Sequence, residues 1–147
     1  GMYALAYALR HQGNYQASLD LNEQVYEWRR EKLGPTHANT LLSMRDLARL
    51  MAHLNRPSEA REMIAKEIEL LPAEERTERE GLAWMLATYP ADGIRDGKRA
   101  VELATQVCEM TKYKQYSCID TLAAAHAEAG SFDDAVKWSQ TALSDEM

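Results

Sequence analysis

Apolar residues recur along this chain at helical spacing, in stretches broken by short polar turns. The pattern is clearest near the C-terminal end. Leu122, Ala123, His126 and Ala127 share one helical face before Gly130, and Phe132, Ala135, Val136, Ala142 and Leu143 share another after it. Gly130 can take the left-handed conformation that ends a helix, and Ser131 followed by Asp134 reads as the N-cap of the next. The same logic predicts helices over Met2–His11, Tyr15–Lys32, Asn39–His53, Pro57–Leu70, Pro72–Thr88 and Gly97–Thr111. Gly34-Pro35 stops the second helix, Pro57 fits the first turn of the fourth, and Asp96 is placed to cap the sixth. The segment from Tyr89 to Arg95 forms a longer turn. The helices pair into four hairpins, about 2–33, 39–70, 72–111 and 116–143, in a single domain over 1–147.

The turns repeat. Gly13 and Asn55 are 42 residues apart, and the post-turn alanines Ala60, Ala100 and Ala135 are separated by 40 and 35. Ala123, Gly130, Phe132 and Ala135 stand in the order small residue, turn glycine, aromatic, alanine. This resembles the tetratricopeptide (TPR) repeat. Leu33-Gly34-Pro35-Thr36-His37 with Thr40 resembles the linker of kinesin-light-chain-type 42-residue repeats, with Ala38 where that family carries proline. Residues 82–104, from Leu82 to Ala104, resemble TPR regions C-terminal to bacterial serine/threonine protein kinases, with Tyr89 and Gly97 departing from that phrase. The resemblance implies an all-α, right-handed α-α superhelix, a TPR solenoid of about four helical hairpins. It also implies protein binding rather than catalysis in this segment. The uncapped start at Met2 and the short tail after Leu143 lead us to expect a fragment of a longer chain, whose parent would carry the kinase domain.

Composition narrows the partners. Seventeen Lys and Arg against 23 Asp and Glu give a net charge of −6, which disfavours nucleic acid. No apolar run approaches a membrane span. Two cysteines, Cys108 and Cys118, fit reduced thiols and a cytoplasmic setting better than a disulfide framework, and Cys108 falls on a buried stripe. No cofactor or metal is expected: zinc needs three or four converging ligands, and neither His11 nor His53 has one at i+4. His37 reads as a residue that holds the linker turn, and His126 as a satisfied core histidine.

In TPR proteins the first helix of each hairpin lines a concave groove that takes peptides. Carried over by repeat phase, the resemblance implies a groove of Tyr3, Tyr7, Arg10 and His11, then Arg45, Arg49 and His53, then Trp84 and Thr88, then Asp120 and Glu128. Arg45, Arg49 and His53 follow one another at steps of four on one helix face. Arginine pairs with carboxylates through a planar fork, so Arg10, Arg45 and Arg49 suggest an acidic peptide partner, with Tyr3, Tyr7 and Trp84 as apolar anchors. The competing expectation is that these arginines pair with Asp46 or Asp120 and that Trp84 is core. A second function class is self-association, a homodimer through the uncapped last hairpin, as a structural module of a signalling kinase.

Overall fold

The computed structural model describes residues 1–90 and 93–145. These hold eight α-helices and no strand: α1 (Met2–His11), α2 (Tyr15–Leu33), α3 (Ala38–His53), α4 (Pro57–Leu70), α5 (Arg76–Thr88), α6 (Gly97–Met110), α7 (Tyr116–Glu128) and α8 (Phe132–Asp145). Consecutive helices pair as four hairpins, and the fold is an all-α helical repeat. Two compact units are distinguished, one of residues 1–72 with Gly93 and Ile94, the other of residues 73–90 and 95–145.

A shared device ends the first helix of three hairpins. Gly13, Asn55 and Gly130 take positive φ angles of 81°, 61° and 84°. Each left-handed residue lets the next amide reach back five residues: Asn14 N–H donates to Leu9 O at 2.9 Å, Arg56 to Met51 at 2.8 Å and Ser131 to His126 at 2.9 Å. These bonds satisfy carbonyls that the helix end would otherwise leave unpaired. Asp96 serves the remaining hairpin differently. Its carboxylate accepts the Arg99 amide at 3.1 Å, capping α6, while its own amide donates to Leu86 O.

The first unit is built on α3, which packs between α2 and α4. Leu41, Met44, Leu47 and Leu50 of α3 are buried with Leu19 of α2 and Ile64 of α4. His37 caps α3, its Nδ1 accepting the Asn39 amide at 3.1 Å. Gly93 and Ile94 belong to this unit as well. Ile94 is fully buried, Gly93 lies so close to Pro57 that a Cβ would sit 2.6 Å from the proline Cβ, and Arg61 Nε donates to Gly93 O. The length of the Tyr89–Arg95 turn therefore has a packing role at its Gly93–Ile94 end; residues 91–92 of that turn lie outside the described residues.

In the second unit α7 packs on α5, α6 and α8. Leu82, Leu86, Leu103, Val107, Ile119 and Leu122 form its core, with Cys108 and Cys118 buried as free thiols. Two boundaries differ by more than one residue from the sequence expectation. Helix α5 starts at Arg76, not Pro72, because Leu71 before the proline is extended (ψ 124°) and Ala73 and Glu74 turn before the helix can begin. Glu74 and Glu75 therefore precede the helix, and only Glu78 lies in its first turn. Helix α8 runs on past Leu143 to Asp145, and residues 146–147 of the expected short tail lie outside the described residues.

Candidate functional site

In the first unit the candidate residues converge on Asp46. Its carboxylate is nearly buried and accepts the Tyr3 hydroxyl at 3.3 Å and Arg49 Nη1 at 3.2 Å, with Arg10 Nη1 at 3.6 Å. Burial, then the Asp46 charge, push the Tyr3 phenol above its ordinary range. The Arg29 guanidinium lies over the Tyr3 ring at 4.7 Å and also donates to Ser43 Oγ and Asn39 O. Tyr7 is exposed, tilted against His11 at 4.3 Å with Arg10 over its ring. The space left between Tyr3, Tyr7, Arg10 and Asp46 is only about 10 Å³, room for a single water at most.

Arg45 departs from the expected exposed face. It is buried and paired with Glu67 of α4 at 2.6 Å, not with Asp46 or Asp120, and Glu67 is wholly inaccessible. The step of four from Arg45 to Arg49 turns the second arginine out while the first still faces α4. His53 is stacked on Tyr15, rings 4.7 Å apart and 4° from parallel. This unit thus holds Tyr3, Arg10 and Arg49 together, with Tyr7 and His11 beside them, and sets Arg45 and His53 against other partners.

The second unit presents a more open face. Trp84 is not core: it is 46% exposed. With Thr77, Glu80, Tyr116 and Asp120 it lines a depression of about 490 Å³ between α5 and α7. Trp84 and Asp120 also line a second depression, of about 500 Å³, walled by Ala123, Phe132, Val136 and Leu143 of α7 and α8. Phe132, Val136 and Leu143 are each more than half exposed. Thr88 does not point a free hydroxyl at the groove; its Oγ1 donates to Trp84 O at 2.7 Å. Glu128 accepts Arg95 Nε at 3.1 Å. The Asp120 carboxylate makes no hydrogen bond or ion pair among the described residues. Tyr116 was missing from the sequence-derived list, although it stands one step of four before Asp120 on the same helix face.

Both cysteines are buried free thiols. Burial, reinforced by the hydrogen bond and charge of Cys118, pushes the Cys108 thiol far above its ordinary range, and Cys118 Sγ donates to Gln115 O at 3.0 Å. His126 is half-buried, and its Nδ1 is buried without a hydrogen-bond partner among the described residues, so it is not the satisfied core histidine expected. Among the described residues no three His, Cys, Asp or Glu side chains converge to hold a metal, and no helix is long and apolar enough to cross a membrane.

Residues 1–73 match the family model of the tetratricopeptide repeat. Solved structures resemble nearly the whole chain. A protein of Podosopora anserina described as a kinesin light chain with nearly identical TPR-like repeats superposes with a TM-score of 0.73 at 23% identity, over 97% of this chain and 72% of that one. A variant of the same protein gives 0.74 with the same identity and coverage. BtubC (BKLC) from P. vanneervenii gives 0.69 at 14% identity, over 99% of this chain and 61% of that one. No curated protein matches the sequence. At these identities the structural likeness speaks for the fold.

Proposed function

We propose that this chain, whose residues 1–73 match the tetratricopeptide-repeat model, works as a protein-interaction scaffold, binding a peptide or partner segment along the first-helix faces of its hairpins. Fold alone does not decide function, so the reading rests on one observation. An exposed tryptophan, Trp84, and a carboxylate without a partner among the described residues, Asp120, line an open depression between α5 and α7. Large aromatic surface left in water beside a polar anchor is the composition of an interaction hot spot. In the first unit Arg10 and Arg49 share the single carboxylate of Asp46. That leaves one positive charge in surplus, which supports an acidic group of a partner there. Tyr7 and His11 supply exposed ring surface beside it, while His53 is stacked on Tyr15.

The test is binding by the intact chain and by Trp84→Ala. The reading expects the substitution to weaken partner capture at least tenfold with the helical content unchanged; unchanged capture contradicts it. A second reading, self-association, is favoured by the exposed Phe132, Val136 and Leu143 of α8. Sedimentation over a range of concentrations would then show a dimer that Val136→Asp breaks.

A further inference from the structure

We infer that the partner segment of the second unit sets a lysine or arginine among bulky apolar side chains, its cation held by Asp120 between Trp84 and Tyr116. This rests on the scaffold reading above and adds the chemistry of what the face takes. Four observations carry it.

The two depressions of this unit share Trp84 and Asp120, so a ligand filling both must pass these residues. The carboxylates around them are otherwise engaged. Glu80 lies 3.5 Å from Arg76 and Glu128 holds Arg95, whereas Asp120 has no partner among the described residues. A cation brought to Asp120 would form a charge-assisted hydrogen bond without breaking an existing one.

Aromatic faces favour the same occupant. Trp84 and Tyr116 are 46% and 43% exposed and line the depression with Asp120. Both offer ring surface to an ammonium or guanidinium group. Among the described residues no lysine or arginine lines either depression, and the charged residues that do are Glu80 and Asp120. Glu80 is paired with Arg76, so an acidic segment would meet the uncompensated charge of Asp120 there, and the charge preference is opposite to that of the Arg10–Arg49 cluster.

The apolar part of the occupant follows from the second depression. The buried Ala123 and Ala135 line it with Ala124 and Ala127, and Phe132, Val136 and Leu143 stand exposed around it. Small alanine side chains beside large exposed apolar ones fit leucine-sized or aromatic side chains placed within a turn or two of the cation.

The experiment presents the intact chain with two synthetic peptide arrays. One fixes lysine or arginine at the centre of 15-residue peptides with varied apolar neighbours; the other carries glutamate at that centre. The expected result is binding confined to the first array. Affinity for the best peptide should fall about tenfold or more in Asp120→Asn and in Trp84→Ala. Asp120→Lys should move binding to the glutamate-centred counterpart. Asp120→Asn should leave the melting temperature unchanged, since no intramolecular bond is lost.

Binding that ignores Asp120→Asn overturns the inference. So does a preference for glutamate-centred peptides; if those are lost on Arg49→Ala, the scaffold reading stands and only this one falls. Absence of peptide binding, together with a dimer broken by Val136→Asp, shows the face to be covered by a second copy and overturns both.

Discussion

Gly97, the first residue of α6, lies against the backbone of Ala129 at the end of α7. A Cβ built on Gly97 would sit 2.3 Å from the Ala129 nitrogen and 2.6 Å from its Cα. Those atoms are main chain and cannot rotate aside. Alanine at a helix position ordinarily gains up to about 1 kcal/mol over glycine. Here we expect Gly97→Ala to destabilise by about 1–3 kcal/mol, the usual cost of overpacking. Urea unfolding of the two proteins measures the difference, and a stabilised variant would contradict the contact.

Asp46 ties α1 to α3 through Tyr3 and Arg10, and holds Arg49 on its own helix. Removing the carboxylate leaves the part-buried Tyr3 hydroxyl and two guanidinium groups without this partner. Asp46→Ala should cost about 1–3 kcal/mol. Arg49→Ala, which removes one partly exposed member, should cost under about 1 kcal/mol. Denaturation midpoints that reverse this order would show that Asp46 is not the centre of the cluster.

The Arg45–Glu67 pair makes a sharper contrast. Both side chains are buried, so Glu67→Leu alone leaves a buried guanidinium without this carboxylate and should cost about 3–5 kcal/mol. The double substitution Arg45→Met with Glu67→Leu should recover most of that loss, because well-packed apolar residues replace buried pairs at little cost. A double-mutant cycle reads the coupling directly.

The raised Cys108 thiol gives a pH dependence of definite sign. Above the ordinary thiol value of 9.0 the unfolded chain loses this proton while the folded chain keeps it. The unfolded state then binds fewer protons, and stability falls as pH rises beyond about 9. Below that range the contribution is fully present. Chemical denaturation at pH 8 and pH 10, compared with Cys108→Ala, isolates it. A thiol reagent should react slowly with the native protein and promptly with the unfolded one, as expected of two buried thiols.

The fold was legible because its punctuation is local chemistry. Gly13, Asn55 and Gly130 are residue types that tolerate left-handed backbone, and each closes a helix. The start of α5 was misjudged because the apolar and acidic pattern continues back to Pro72, while the turn that delays the helix is set by Leu71 before the proline. The close approach at Gly97 was invisible, since it depends on a contact across 32 residues of sequence. Repeat phase alone identifies which helix a residue is on and roughly which way it faces. It grouped Arg45 with Arg49, yet it cannot see Glu67 on the neighbouring helix, which draws Arg45 inside. For Trp84 repeat phase suggests the groove and apolarity suggests core, and its exposure in the open depression between α5 and α7 excludes the core.

The central claim is that this chain binds partner segments on its first-helix faces. Amide chemical-shift mapping of the 16.7 kDa chain with a peptide selected from the arrays tests it most directly. The account predicts that the largest shifts fall on α5 and α7 around Trp84, Ser117 and Asp120, with smaller ones at Phe132 and Val136. Shifts confined to α2, α4 or α6, or none at saturating peptide, would contradict it.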